Sequence, residues 1–200
     1  SNTFFLPAAN YTDEEFDAVQ KRAEEVGALV IVDEAYHYFY SKTFLAKALS
    51  ASNVVVLRTF SKLMSLAAVR LGVIIGNPML VGYVRNARLT FDANSIALLF
   101  AERLMDRPDV IDGLIRSQQE GKDWLIEKLR MRGYWCRDCM GNFIFIKPRS
   151  DAREVADKLE GLNVLVHPYG NPLLKDYIRV STGSKAAMAK FLDAFMEVEK

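Results

Sequence analysis

Two short apolar runs constrain the fold of this chain most strongly. The first, ALVIV, occupies residues 28–32, and the second, VVVL, occupies residues 54–57. Both are continuous rather than alternating, and they stop at Asp33 and Arg58. Runs of this kind are typical of strands in a parallel sheet that is covered on both faces. A similar segment, RLGVIIG at residues 70–76, predicts a third such strand.

The segments around these strands have helical periodicity. Residues 12–26 begin with Thr12 as a helix N-cap and an acidic first turn, and Gly27 is expected to end the helix. A long, mostly helical region is predicted from residue 79 to residue 105. Because helical and loop segments separate the strands, we predict an open, mostly parallel α/β sheet.

The pattern changes in the second half of the chain, where shorter strands and helices alternate. We therefore predict two domains, residues 1–105 and a smaller α+β domain at residues 106–200. Its predicted helices are 108–132, 151–162 and 184–200, and its predicted strands are 141–148, 163–168 and 176–183.

The composition argues against several classes of partner. The chain has 26 basic and 25 acidic residues, a net charge of +1, and 50% hydrophobic residues. This balance predicts neither nucleic-acid nor membrane-surface binding. The apolar runs are far too short to span a bilayer, and SNTFFLPAAN lacks the features of a signal peptide. We expect a cytoplasmic protein.

The two cysteines, Cys136 and Cys139, have the spacing of a redox or metal motif. A glycine turn and an apolar strand follow them, whereas a redox motif of this kind begins a helix. A zinc site needs four ligands, and the nearest histidine, His167, stands alone. We interpret them as two reduced cysteines near a strand hairpin, and we expect no metal.

Polar side chains follow the predicted strands at the edge where α/β sheets bind ligands. A lysine bounded by apolar sequence is expected to lose hydration on folding. That loss costs free energy unless the amine has a partner or a chemical role. An amine that can form a Schiff base, beside phosphate-binding groups and an aspartate, suits a phosphorylated aldehyde cofactor. Each residue also has an ordinary structural interpretation, such as a helix cap, a core residue or a surface ion pair. The residues are Asp33, Tyr36, Thr59, Ser61, Lys62 and Arg70.

Four motifs resemble the signature of fold-type I pyridoxal phosphate enzymes, and most closely that of the histidinol-phosphate aminotransferases. They occur in the family's order and spacing along nearly the whole chain. The resemblance implies that residues 1–105 are the C-terminal part of a cofactor-binding large domain and that residues 106–200 are the small C-terminal domain. It also implies pyridoxal 5'-phosphate as cofactor and a homodimer. The motifs are DEAY (33–36), RTFSK (58–62), AAVRLG (67–72) and RVSTG (179–183).

The resemblance assigns a role to each site residue. Lys62 would bind the cofactor covalently and later move a proton, which makes it the catalytic residue. Asp33 would pair with the pyridine nitrogen, and Tyr36 would hydrogen-bond the phenolic oxygen of the ring. The phosphate would be bound by Ser61, Arg70 and Thr59, and the substrate carboxylate by Arg179.

Three departures from the family pattern bear on function. Family members are usually close to twice as long, and the missing part is N-terminal. Leu6 stands where relatives have an asparagine that bonds the ring oxygen. His167 stands where the histidinol-phosphate enzymes use an arginine to bind the substrate phosphate. Because a neutral histidine cannot make a bidentate contact, a plain amino acid suits this position better than histidinol phosphate.

Three functions remain open at the level of sequence. The first is an aminotransferase that moves an amino group between an amino acid and a 2-oxo acid. The second is a decarboxylase of a phosphorylated amino acid, because a close branch of the family does that chemistry. The third is a catalytically silent binding or regulatory domain. The retained lysine favours an enzyme over the third.

Overall fold

The computed structural model describes residues 11–40, 42–90 and 92–200. The chain divides into two compact units, whose described residues run from 11 to 111 and from 112 to 200. The division falls inside the long helix Pro108–Met131. The domain boundary expected at residue 105 therefore stays a prediction. Leu6 lies outside the described residues.

The first unit contains a three-stranded sheet in the order β1-β2-β3. The first two strands are parallel, with Val30 opposite Val54, and the last two are antiparallel, with Thr59 opposite Gly72. The expectation that the third strand continues a parallel sheet is therefore wrong. The reason is its connection, residues 60–71, which forms a loop with one 3-10 turn and no crossover helix. The strands are β1 (Val30–Asp33), β2 (Val54–Thr59) and β3 (Gly72–Gly76).

The helices of the first unit begin at recognisable caps. Thr12 is the N-cap of the first helix, as the sequence predicts, and it forms a capping box with Glu15. Gly27 follows this helix with a positive φ of 67°. The helical region predicted from 79 to 105 is two separate helices, and α2 was not predicted. The helices are α1 (Asp13–Glu25), α2 (Leu45–Ser50), α3 (Pro78–Ala87) and α4 (Ser95–Met105).

Helices α1 and α2 cover one face of this sheet. Phe16 stacks on Phe44, with ring centroids 4.0 Å apart, and both rings pack against Val54 and Val56. Strand β2 is buried on both faces as predicted, but β1 is an edge strand on which Ile31 is 59% exposed. Because side chains alternate along a strand, the site-forming residues of β1 and β2 lie on the face opposite the two helices.

The second unit contains an antiparallel four-stranded sheet in the order β4-β5-β7-β6. β4 was not predicted, and the strand expected at residues 163–168 is reduced to two residues. The elements are α5 (Pro108–Met131), β4 (Trp135–Asp138), β5 (Phe143–Lys147), α6 (Ala152–Gly161), β6 (His167–Pro168), β7 (Ile178–Ser181) and α7 (Lys185–Val198).

One face of this second sheet forms a continuous apolar core with the C-terminal half of α5 and with α6 and α7. Ile144, Ile178, Leu129 and Phe195 are fully buried there. The close approach of α5 to the turn after β7 requires a glycine, because a Cβ atom on Gly121 would overlap a backbone carbonyl oxygen of that turn. The opposite face of the sheet carries the residues predicted to bind substrate.

Candidate active site

The candidate site begins at the carboxyl end of β1. Asp33 ends the strand opposite Leu57 of β2, and the backbone N–H of Glu34 donates to the Leu57 carbonyl at 2.8 Å. The Asp33 side chain is exposed, and its Oδ1 accepts the backbone N–H of Ala35 at 2.9 Å. This contact fixes the turn after β1 and uses one of the two carboxylate oxygens.

Lys62 and Tyr36 meet across the ends of the two parallel strands. Tyr36 lies in the turn after β1, and Lys62 lies in the loop after β2. The Lys62 Nζ lies 5.2 Å from the centroid of the Tyr36 ring, within range of a cation–π contact. Both residues are half-buried, so the Lys62 amine is only partly shielded from solvent. The structure thus brings together two residues that the sequence assigned to one site.

Thr59 holds the loop that carries Lys62. Its Oγ1 accepts the backbone N–H of Ser61 at 3.1 Å and donates to the Leu71 carbonyl at 3.4 Å. One hydroxyl therefore links the start of the loop to its end. A role of Thr59 in binding phosphate stays a prediction. Its role in holding the loop is seen in these two hydrogen bonds. Ser61 is half-buried one position before the lysine.

Arg70 lies at the end of the same loop in a left-handed backbone conformation, with φ 57° and ψ 44°. This conformation costs a non-glycine residue energy, and such residues tend to occur at functional sites. The Arg70 side chain is exposed, and one Nη donates to the Ala67 carbonyl at 3.0 Å. Glycine would adopt this left-handed conformation more easily than the arginine that is present.

These residues suit the predicted cofactor by their chemistry. A carboxylate, a phenol, an amine, a hydroxyl and a guanidinium follow β1 and β2 or lie on the loop that joins β2 to β3. A phosphorylated pyridine aldehyde needs this set: an amine for the aldehyde, an acid for the ring nitrogen, and charge-assisted donors for the phosphate. The donor set therefore fits pyridoxal phosphate.

Sequence reasoning missed a polar network around the buried side chain of Glu34, which we call the Glu34 cluster: Glu34, Arg58, Thr43 and the backbone N–H of Phe44. The Glu34 side chain is 7% exposed and that of Arg58 is 18% exposed. Arg58 donates from Nε and Nη to Glu34 Oε2 at 3.1 and 2.9 Å. The Thr43 hydroxyl and the Phe44 N–H donate to Glu34 Oε1 at 2.8 and 2.7 Å.

A sequence signal for this cluster existed. Glu34 continues the alternation of Val30 and Val32 on the helix-covered face, and Arg58 continues that of Val54 and Val56. A charged residue in such a register needs a partner of opposite charge. Strand register makes these two residues neighbours, but the register is known only from the fold.

His37 borders the Glu34 cluster. Its Nδ1 lies 3.8 Å from Glu34 Oε2. Burial, with a further contribution from the positive charge of Arg58, lowers the pKa of His37, although Glu34 acts in the opposite direction. The ring also contacts Tyr38, with centroids 5.0 Å apart. These contacts favour a packing role for His37.

The second unit carries the two residues predicted to bind substrate, and it places them side by side. His167 of β6 is the cross-strand partner of Arg179 of β7, so both lie on the same face of the sheet. The Arg179 guanidinium carbon lies 5.2 Å from the Phe143 ring centroid, and the His167 ring lies 4.7 Å from the Tyr169 ring. The face thus combines a cation, an imidazole and aromatic rings.

The cysteines are structural. Cys136 and Cys139 are both free and buried. Burial raises the pKa of Cys136, and it raises the pKa of Cys139 to about 11. Thiols with raised pKa values are poor nucleophiles and metal ligands at neutral pH. Both cysteines are free and lie beside the β4–β5 hairpin, as predicted, and the absence of a redox or metal function stays a prediction.

The described residues lack both a metal-binding cluster and a membrane-spanning helix. Among residues 11–40, 42–90 and 92–200, no group of three or more His, Cys, Asp and Glu side chains is placed to hold a metal ion. In the same ranges, no helix has the length and apolar character that crossing a membrane requires.

The fold is found in solved structures of aminotransferases. Histidinol-phosphate aminotransferase from Clostridium acetobutylicum matches with a TM-score of 0.83 and 21% identity, over 94% of this chain and 59% of that one. The enzyme from Sinorhizobium meliloti, solved in complex with pyridoxal-5'-phosphate, matches with a TM-score of 0.79 and 22% identity, over 91% and 52% of the two chains. These matches define an α/β fold of the aminotransferase type.

Sequence comparison then gives the family. Residues 8–195 match the family model described as aminotransferase class I and II. The chain belongs to this family. Histidinol-phosphate aminotransferase from Citrifermentans bemidjiense is 30% identical over 177 residues, which are 88% of this chain and 51% of that protein. The chain thus spans about half the length of the curated relatives it matches.

Proposed function

We propose that the protein containing this chain is a pyridoxal phosphate-dependent aminotransferase that moves an amino group between an amino acid and a 2-oxo acid. Membership of the aminotransferase class I and II family supports this function. The observation that carries it is the Lys62 amine, 5.2 Å from the Tyr36 ring at the strand edge that also bears Asp33. The lysine, the acid and the phenol are all present, which argues against a silent binding domain.

The residues of the first unit divide the work by their chemistry. Lys62 would hold the cofactor through its amine and would move a proton at the substrate Cα. Asp33 would pair with the ring nitrogen, and Tyr36 would donate to the ring oxygen. The bound cofactor would supply an electron-withdrawing ring. Ser61 and Arg70 would bind its phosphate, and Thr59 holds their loop in place.

The substrate in this proposal is an amino acid without a phosphate group. Arg179 binds the substrate carboxylate through its planar fork. Its neighbour His167 lacks the planar fork of a guanidinium and gives a phosphate no bidentate partner. His167→Arg is expected to increase the activity of the full-length protein on phosphorylated substrates relative to plain amino acids. No increase would contradict this account of His167.

Covalent trapping tests the cofactor assignment directly. The protein is incubated with pyridoxal phosphate, reduced with borohydride and digested, and the labelled peptides are identified by mass spectrometry. We expect label at Lys62 and loss of the visible absorption band in Lys62→Ala. Lys190→Ala, which removes an exposed lysine of the second unit, is the matched control and should keep the band. Equal labelling of Lys190 and Lys62 would contradict the assignment.

We also propose a homodimer. The support is a set of large apolar side chains on α4 that this chain leaves exposed: Ile96 is 62%, Leu99 53% and Phe100 54% exposed. Sedimentation of the full-length protein tests this, with Phe100→Asp expected to shift it toward the monomer. A cytoplasmic location stays a prediction.

A further inference from the structure

The Glu34 cluster lies on the opposite face of the sheet from the candidate site, but the two share the same strand ends. Asp33 and Glu34 are consecutive, so their side chains point to opposite faces. Arg58 and Thr59 alternate in the same way on β2. The face that forms the candidate site carries Asp33 and Thr59. The face covered by the helices carries the Glu34–Arg58 ion pair at the same ends of the strands.

The Glu34 carboxylate accepts hydrogen bonds from two other segments of the chain at once, β2 and residues 43–44. Arg58 comes from β2, Thr43 from the loop before α2, and the Phe44 N–H from the N-cap of that helix. Arg58 Nη also donates to the Thr43 hydroxyl at 3.0 Å, which closes the network. A carboxylate with several donors in a partly dry environment fixes the segments that carry them.

The cluster stands next to the residues of the proposed site. Glu34 begins the turn that carries Tyr36, and Arg58 lies four residues before Lys62 on the strand that leads into its loop. We infer that Glu34, acting through Arg58, is a positioning residue that sets the placement of the Lys62 amine against Tyr36. The catalytic consequence of this inference rests on the proposed function.

A purely structural role for Glu34 makes a different prediction. If Glu34 only stabilised the sheet, any equally destabilising change in β2 would affect Lys62 to the same degree. Val54 offers the matched control, because it is fully buried on the same face of β2 at the other end of the strand. Val54→Ala leaves a cavity beside the Phe44 ring but removes none of the hydrogen-bonding groups of the Glu34 cluster.

The test uses chemical labelling of amines in the folded chain, which needs no cofactor. Wild type, Glu34→Gln and Val54→Ala are pulsed with acetic anhydride, and the acetylation of Lys62 is divided by that of the exposed Lys190 in the same molecule. Loss of the ion pair frees the turn and uncovers the amine. We expect the ratio to rise roughly threefold in Glu34→Gln, the effect of losing one cation–π contact, and to stay unchanged in Val54→Ala.

Two results would overturn the inference. One is an unchanged Lys62 ratio in a Glu34→Gln chain that circular dichroism shows to be folded. The other is an equal rise in Val54→Ala, which would assign the effect to general loosening. If Glu34→Gln does not fold, the same comparison is made with Arg58→Lys, which keeps the charge but loses the two-pronged contact.

A second readout separates this inference from the proposed function. Full-length wild type and Glu34→Gln are titrated with pyridoxal phosphate, and the absorption band of the lysine-bound cofactor is followed. A band in wild type with equal affinity in Glu34→Gln, together with an unchanged labelling ratio, removes the positioning role and leaves the function intact. Absence of the band in full-length wild type removes the function, while the Lys62 labelling ratio still decides the positioning role.

Discussion

The two compact units hold their functional residues by different means. In the first unit, the carboxyl ends of the strands are tied together by a buried polar cluster around Glu34. In the second unit, Arg179 lies on a sheet whose other face is packed into a continuous apolar core. Directional bonds therefore hold the strand ends that carry the proposed cofactor residues, while non-directional packing supports the sheet that carries the proposed substrate residues.

Among the described residues, each unit has an ion pair with one buried member, and the two pairs differ in which charge is buried. In the first, the Glu34 side chain is 7% exposed and its partner Arg58 is 18% exposed. In the second, the Lys122 side chain is 4% exposed, but Asp138 is 37% exposed. Removing one member therefore has different consequences in the two units.

The largest effect is expected from truncation of the second core. Phe195 is fully buried and contacts Tyr134 and Phe191, so Phe195→Ala should lower the free energy of unfolding by about 3–5 kcal/mol. Hydrogen exchange should accelerate chiefly in residues 112–200. Phe16→Ala, the matched change in the smaller core, should act chiefly on residues 11–111. Uniform acceleration throughout the chain in both variants would break the comparison between the units.

The ion pairs give the next effect. Arg58→Met leaves the buried carboxylate of Glu34 without its cation and should cost about 3 kcal/mol. Lys122→Met removes the buried charge itself and leaves Asp138 partly in water, so it should cost about 1 kcal/mol. Urea unfolding of both variants measures the difference. A larger loss of unfolding free energy in Lys122→Met than in Arg58→Met would contradict the view that the Glu34 cluster contributes more to stability.

Substitution of Arg70 is expected to give the smallest change in stability. It separates an effect on stability from an effect on cofactor binding. Arg70→Gly relieves the left-handed backbone at φ 57° and should change stability by less than about 1 kcal/mol. The same change removes the proposed phosphate ligand and should weaken pyridoxal phosphate binding by about tenfold or more in the full-length protein. Thr59→Val is the opposite case, because it acts on stability. It removes the hydroxyl that donates to the Leu71 carbonyl and is expected to lower stability. Unchanged cofactor affinity in Arg70→Gly would remove Arg70 from the site.

The sequence predicted much of the fold because the signals were local. Thr12 and Gly27 mark the ends of α1, and continuous apolar runs mark β1 and β2. The expectation of a parallel third strand failed because direction depends on the path of residues 60–71, which carry no periodicity. Strand β4 escaped prediction because its short segment, Trp135–Asp138, is half polar.

By itself, the sequence determined the order and spacing of the four motifs, and through them the family and the candidate site residues. Only the tertiary structure decided that Glu34 and Arg58 form one cluster, that Lys62 lies over Tyr36, and that His167 is the cross-strand neighbour of Arg179. The physical reason is that propensities and motifs act over a few residues, whereas these contacts depend on strand register. Register is set by the packing of whole sheets and helices.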